Sequence, residues 1–531
     1  MAEPDKISSA RRMAQILAVG TLLLFVKSVF FDFINLDDPQ YIENNPHVIS
    51  GLTLEGIRWA FALDNTQGGF WIPMTHLSLM LDVTLFGHHA AGFHLVNVLF
   101  HMANTLLLFH LFRRLTNRFW ESAWVATLFA VHPQHVEAVA WVVERKEVLA
   151  AFFGLLALWQ YILYVETRRA TPLPPSGSWW HNPHYLLIFP LLMCSLWSKP
   201  MWVTLPGVFL LLDWWPLDRQ KQATWSHLIR EKIPLLLPVL LAAGMALLRT
   251  DDPDLKHSWA VLPLSARIGN FLISLATYLR QTVWPSDLSI FYLHPYLEKT
   301  PPATLELAAG TGVMVVLTAL AFMTRRTRPY LLVGWLWFLG GLVPVSGLAQ
   351  SGNQGMADRF VYYPHMGLLM AMVWGGAAML PQQRFWRRSL LALGVVATFA
   401  LTVVTWRQLD TWLNSGTVWS HAVRMNQNNH YAHALLHGFY SKQKNVPPSH
   451  THIDAALRLR PDHTDYILLK AVVFLEEGRE DKFIEWVHKA EQIKPNSPNI
   501  IVMREVISTI GGDMKRAYDR LHLQDIAVPH Q

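Results

Sequence analysis

"MAQILAVGTLLLFVKSVFFDFINLDDPQYIENNP" occupies residues 13–46. Its first part, 13–31, is almost wholly apolar, with Lys27 as its one charge. A helix that crosses a bilayer needs roughly 20 mostly apolar residues, so 13–31 reads as a membrane span. The chain then turns polar and sets two adjacent carboxylates, Asp37 and Asp38, at the mouth of that span. Arg11 and Arg12 precede the run, and no small-residue cleavage site follows it. These features predict an uncleaved first span with a cytoplasmic N-terminus.

The same pattern continues to residue 405. The 531-residue chain is 52% hydrophobic and only 15% charged, against about 25% charged in soluble domains. Apolar runs fall at about 13–31, 93–112, 122–140, 148–166, 184–198, 201–216, 233–248, 267–284, 305–323, 330–348, 365–381 and 388–405. Basic clusters follow alternate runs: Arg113, Arg114 and Arg118; Arg168 and Arg169; Arg219, Lys221, Arg230 and Lys232. Alternation of this kind places those loops in the cytoplasm. The cluster at 324–329 keeps that side only if one crossing between 233 and 304 is dropped. The run at 267–284 carries Arg267 and Arg280 and is the least lipid-like. It is expected to lie along the outer interface or to re-enter, which leaves about 11 spans. The loop 32–92 and the tail 406–531 then lie outside the cytoplasm.

The net charge of +6 comes without a basic patch interleaved with aromatics, which argues against a nucleic-acid partner. Cys194 is the single cysteine, so an intrachain disulfide is excluded. Within the long loop, "LTLEGIRWAF" puts Leu52, Leu54, Ile57 and Phe61 roughly on one side of an amphipathic helix. That loop is expected to fold onto the membrane surface.

The tail holds a repeat. Ala422, Ala456 and Ala490 recur every 34 residues, as do Met425, Leu459 and Ile493, and Asn428, Asp462 and Asn496. Pro461 and Pro495 continue the register. A period of 34 with Ala in a second helix and Pro at the turn marks tetratricopeptide repeats. Stacked helix pairs of this kind make a concave surface suited to a peptide. "KNVPPSHTH" departs from the pattern at its turn.

Several polar groups gather at the predicted outer ends of the spans. Asp37 or Asp38 suits a general base for an incoming hydroxyl or amide; a helix cap or a solvated loop is the bland alternative. His94, Asn97, His101 and Asn104 share one helix face. "VHPQHVEAVAWVVERKEVL" crowds His132, His135, Glu137, Glu144, Arg145 and Lys146 into one turn. His132 and His135 alone are weak evidence for a metal. Arg145 and Lys146 suit a phosphate. Lys199 and the stretch with Asp358, Arg359, Tyr362 and Tyr363 add further polar groups to the same side. Acids and cations converging at one leaflet fit a donor that leaves as a lipid-linked phosphate.

Together the stretches "NLDDPQYIENNP", "WIPMTHLSLMLD", "GFHLVNVLFHMANTLLLF", "LFAVHPQHVEAVAWVVERKEVLA", "SKPMWVTLPGVFLLLD" and "ADRFVYYPHMGL", with the repeats, resemble the TMTC family of transmembrane and tetratricopeptide-repeat O-mannosyltransferases, in a bacterial relative. The resemblance implies an all-α, polytopic GT-C membrane domain over 1–405, with an outer loop at 32–92, and a short repeat domain over 406–531. It implies transfer of a mannose-like sugar from a polyprenyl-phosphate donor to Ser or Thr of an acceptor protein, with inversion. The base maps to Asp37 or Asp38, and the donor-phosphate arginine to Arg359, with Arg145 second. Lys146, Lys199, Glu144, His94, His132, Asp358 and Tyr362 complete the expected donor site. A divalent metal is left open but not required. The expected place is the bacterial inner membrane, with site and repeats facing the periplasm and the acceptor bound through the repeats. The competing reading is a non-catalytic scaffold that recruits partners through its repeats; a flippase would need its polar groups near the bilayer midplane.

Overall fold

Among the described residues of the computed structural model, five helices are long and apolar enough to cross a membrane: Ser8–Phe30, Ala90–Thr116, Val142–Arg169, Thr304–Met323 and Arg384–Asp410. Shorter apolar helices span Phe119–Val131, Pro183–Ser198, Pro200–Trp214 and Pro329–Val345. The structure describes residues 3–63, 71–170, 178–248, 262–348, 354–381, 383–495 and 497–510. Asn496 of the repeat pattern lies outside them. The chain forms two units. One comprises Met1–Phe33, Asp37–Leu288 and Tyr292–Leu413; the other comprises Ile34–Leu36, Ser289–Phe291 and the chain from Asn414.

The first unit is a multi-pass helical membrane body. Its main helices are α1 (Glu3–Phe25), α2 (Leu54–Phe61), α3 (Pro73–Phe86), α4 (Ala90–Thr116), α5 (Phe119–Val131), α6 (Val136–Ala140) and α7 (Arg145–Ala170). After them come α8 (Pro183–Ser198), α9 (Leu205–Trp214), α10 (Trp225–Lys232), α11 (Leu236–Leu248), α12 (Leu264–Val283), α13 (Thr304–Met323), α14 (Pro329–Leu342), α15 (Pro364–Met379) and α16 (Arg384–Asp410). A two-stranded antiparallel ribbon pairs β1 (Tyr292–Leu293) with β2 (Gln354–Met356), Tyr292 opposite Met356.

One local expectation needs correction. The apolar run at 122–140 is not one helix: α5 stops at Val131, because Pro133 has no N–H to give and disfavours helix at His132. The chain turns through Pro133–His135 and resumes as α6. That break turns residues 132–144 back into the protein rather than onward through lipid. Within the loop 32–92 the amphipathic stretch forms α2. Its buried positions are Gly56 and Ala60, while Leu54 is 64% exposed and Leu52 is 42% exposed. The small residues face the protein because Gly56 lies against Met80 of α3.

The second unit holds α17 (Ser415–Met425), α18 (His430–Lys442), α19 (Val446–Leu459), α20 (Thr464–Glu476), α21 (Glu480–Ile493) and α22 (Pro498–Ile510). The starts at 430, 464 and 498 are 34 apart, as are the ends at 425, 459 and 493. Ala422, Ala456 and Ala490 are each 0% exposed, which explains a small residue at that register: neighbouring helices approach too closely for more. Each turn closes in the same way. Asn445 N–H donates to Tyr440 O (2.9 Å) and Arg479 N–H to Phe474 O (2.8 Å). The residue before each has positive φ, 55° at Lys444 and 74° at Gly478. Such a helix end favours glycine. Exposed Lys444 carries the strain of a Cβ there, so Lys444→Gly is expected to stabilise this unit by about 1 kcal/mol, read as a shift of its unfolding midpoint in denaturant.

Candidate active site

Asp37 and Asp38 stand where the chain meets Pro39, which opens a one-turn helix, Pro39–Glu43. Adjacent side chains diverge there, and their surroundings differ. Asp38 is fully buried and accepts the Val143 N–H at 3.3 Å; it makes no cap to its own turn. Asp37 keeps 19% of its side chain exposed and lies 3.7 Å from Lys146 Nζ. Burial raises the Asp37 carboxyl above its ordinary value, with Lys146 and then Arg359 opposing the rise.

Glu144 is the hub beside it. Its carboxylate lies 3.2 Å from Lys146 Nζ, 3.1 Å from Lys199 Nζ and 3.1 Å from Arg359 Nε. Lys199 also pairs with Glu147 at 2.5 Å. Arg359 pairs with Glu137 through its guanidinium, and its backbone N–H donates to Glu137 Oε2 at 2.9 Å. The Arg359 and Lys146 cations lie 5.3 and 5.9 Å from the Trp141 ring centroid. Burial works against the charge on Arg359, but Glu137 and Glu144 outweigh it and hold its pKa above the ordinary value.

Local structure explains the convergence. Glu144 closes a 3-10 turn and Glu147 follows on the first turn of α7, three residues on and hence on the same face. Lys199 is the residue after α8, forced into extended backbone (φ −159°) ahead of Pro200. Arg359 lies on the 3-10 turn Asp358–Val361 that leads into α15. The structure thus brings together Asp37, Glu144, Lys146, Lys199 and Arg359. It adds Glu137 and Glu147. Both stand in the crowded 131–149 stretch, but nothing local marks Glu147 as the partner of Lys199, which is 52 residues on.

The remaining expected residues lie in other settings. Arg145, next to Lys146 but turned about 100° around the helix, faces Asp82. Its guanidinium pairs with Asp82 at 2.6 Å and donates to Asn97 Oδ1 (2.5 Å), Ser78 Oγ (2.7 Å) and Phe93 O (2.9 Å). All of its surface is covered and four of its five N–H groups are engaged, so it is a strut between α3, α4 and α7 rather than a group open to a phosphate. Asn97 Nδ2 donates to Trp141 O at 3.0 Å, pinning the turn that carries Glu144. His94 is buried against Phe31, ring centroids 6.0 Å apart. Asp358 accepts the Tyr292 hydroxyl at 2.7 Å. Tyr362 is in a buried polar chain, its hydroxyl 2.8 Å from His101 Nδ1 and 3.2 Å from Asn104 Nδ2. His132, His135 and His365 form a second such chain. His365 Nδ1 lies 3.0 Å from His135 Nε2, Thr282 Oγ1 is 2.9 Å from His365 Nε2, and His132 Nε2 donates to Thr282 O at 3.0 Å. Burial lowers the His132 pKa to about 4, so this histidine is neutral. Among the described residues no group of three or more His, Cys, Asp or Glu is arranged to hold a metal ion.

A ring of cations balanced by buried carboxylates, with one carboxylate partly open beside it, has the parts for base-assisted displacement of a phosphate. No protein-family model matches the chain, and no solved structure matches it. The chain is 26% identical over 495 residues to protein O-mannosyl-transferase TMTC1 of Homo sapiens, covering 85% of this chain and 55% of the relative. It is 23% identical over 440 residues to protein O-mannosyl-transferase TMTC3 of Mus musculus, covering 73% and 44%. A shorter match to protein O-mannosyl-transferase TMTC4 of Mus musculus is 34% identical over 185 residues, 31% of this chain and 25% of the relative. The chain therefore spans little more than half the length of the TMTC1 relative. Ordered motifs, an all-α membrane body and similarity over most of the chain together support the family read from the sequence, that of the TMTC O-mannosyltransferases.

Proposed function

We propose that the protein is a GT-C-type membrane glycosyltransferase that moves a mannose-like sugar from a polyprenyl-phosphate donor to Ser or Thr of an acceptor protein. The observation that carries this reading is the partly open Asp37 beside Lys146, in a site where Lys146, Lys199 and Arg359 ring Glu144. The names of the similar proteins support it.

Asp37 takes the proton of the acceptor hydroxyl as its oxygen attacks the anomeric carbon. The bond from that carbon to the phosphate oxygen breaks, and the electron pair leaves with the lipid phosphate. Lys146, Lys199 and Arg359 stabilise the charge that develops there. Attack opposite the leaving group inverts the anomeric centre. These steps need side chains alone. The proposed setting is the bacterial inner membrane, with the site on the periplasmic face and the repeats binding the acceptor.

The test is mass spectrometry of acceptor peptides incubated with protein in nanodiscs and a panel of polyprenyl-phosphate sugars. The expected product carries one hexose on Ser or Thr. A scaffold would bind partners through the repeats and transfer nothing from any donor. Because the Asp37 carboxyl is raised, and only its ionised form accepts a proton, the rate is expected to climb as pH rises through a pKa above the ordinary carboxylate range. A rate flat with pH across that region, with chemistry limiting, contradicts Asp37 as base.

A further inference from the structure

The apolar run at 267–284, the least lipid-like in the sequence, falls almost wholly in α12, and its buried polar residues share one face. Asn270, Ser274, Tyr278 and Thr282 recur every four residues and are only 2–6% exposed, whereas Leu264 and Ile268 are 61% and 43% exposed. The polar face meets the backbone of residues 355–357. Asn270 Nδ2 donates to Gly355 O at 2.7 Å, and Ser274 Oγ donates to the same oxygen at 3.4 Å. The Tyr278 hydroxyl donates to Ala357 O at 3.1 Å and accepts the Ala357 N–H at 3.2 Å. One turn on, Gln281 Nε2 donates to the Tyr292 hydroxyl at 3.3 Å.

These bonds have a physical cause. β2 is paired on one edge only, with β1, while Gly355, Met356 and Ala357 are buried. Buried backbone N–H and C=O groups need partners, and α12 supplies them from its side chains. Gly355 allows the close approach, since a Cβ there would lie 3.0 Å from Asn270 Oδ1 and 3.3 Å from His294 Cα. The anchored stretch ends at the candidate site. Only Asp358 separates Ala357 from Arg359, and Asp358 accepts the Tyr292 hydroxyl. The Arg359 N–H donates to Glu137. The arginine turn is thus held by α12 just before it and by Glu137 at the arginine itself.

We infer that Tyr278 and Asn270 are positioning residues, through which α12 fixes the backbone from which Arg359 reaches the departing lipid phosphate. This rests on the reading of Arg359 as a phosphate-binding group of a transferase. A donor of that kind carries its phosphate as a diester with one negative charge. Breaking the bond to the sugar leaves a monoester with a second pKa of about 6, hence close to two charges at neutral pH. Charge therefore grows at the group that Arg359 binds. A displacement near 1 Å at a reacting group costs about 100-fold in rate. Loosening the α12 contacts acts on turnover, and on binding of the lipid-phosphate product, more than on binding of the donor.

The test uses the full chain in nanodiscs. Tyr278→Phe deletes the hydroxyl and keeps the ring; Asn270→Ala deletes the amide. Hydrogen exchange is followed in peptides covering 354–361, alongside kcat, donor KM and the Kd of polyprenyl phosphate. The expected result is faster exchange at 354–361 in both variants, with α12 and α15 still protected. With it, Tyr278→Phe lowers kcat by about 10–100-fold and weakens polyprenyl phosphate by about tenfold, at a donor KM within about threefold of wild type. Asn270→Ala is expected to act in the same direction but less, because Ser274 still reaches Gly355 O. Unchanged exchange at 354–361 overturns the anchoring. Faster exchange with kcat and polyprenyl-phosphate affinity unchanged overturns the positioning role. Loss of protection throughout α12 and α15, with kcat falling only as the folded fraction falls, marks a purely structural contact and also overturns it. If wild type transfers no sugar, the glycosyltransferase reading fails, and polyprenyl-phosphate binding alone decides the rest: weaker binding in Tyr278→Phe upholds α12 as the seat of the Arg359 turn, and equal binding overturns it.

Discussion

Asp37→Asn is expected to lower sugar transfer by about 10²–10⁴-fold, the range for loss of a general base, with donor binding retained. Asn is nearly isosteric and cannot accept the proton. Asp38→Asn is expected to behave differently. Asp38 is covered by protein and receives the Val143 N–H, so its replacement acts on the turn that carries Glu144. The expectation is a lower unfolding temperature, with transfer by the folded fraction within about tenfold of wild type. Initial rates and thermal unfolding of the two variants, side by side, separate the roles. Transfer lost in Asp38→Asn and kept in Asp37→Asn reverses the assignment.

Arg145→Met is expected to destabilise the membrane unit by about 3–5 kcal/mol, because it strands a buried carboxylate at Asp82. The pair is dry, with side chains 0% and 3% exposed. Arg145→Met combined with Asp82→Leu is expected to recover at least half of that loss, since two apolar side chains leave no charge behind. Asn97 and Ser78 lose a donor in either variant, which keeps recovery incomplete. The strut reading also predicts that donor KM in the double variant stays within about threefold of wild type. A double variant as stable as wild type but unable to bind donor would return Arg145 to the phosphate site.

How much of this was legible beforehand depended on the range of the interaction. The spans came from hydropathy, a property of contiguous residues. The repeats came from a fixed period, and even the exception at "KNVPPSHTH" resolves locally: Pro447 and Pro448 fall in the first turn of α19, where prolines are tolerated. The site was legible as a set of charged residues at span ends, but not as a set of pairs. Arg145 and Lys146 look equivalent in sequence, and only the helical rotation between them sends one to Asp82 and the other to Glu144. The pairing of Lys199 with Glu147 depends on α7 and α8 packing together, and that of Arg359 with Glu137 bridges 222 residues. The hydrogen bonds of Asn35 with Ser415, Trp419 and Leu435 carried no signal at all, since those partners lie about 380–400 residues away.

The most direct test of the central claim is the anomeric configuration of the transferred sugar. Nuclear magnetic resonance of the acceptor peptide after a single turnover would read it, with a polyprenyl-phosphate donor of known configuration. A single displacement with Asp37 as base predicts inversion and no covalent sugar on the enzyme. Retention of configuration, or a glycosyl group trapped on Asp37, would make that carboxylate a nucleophile and contradict the account.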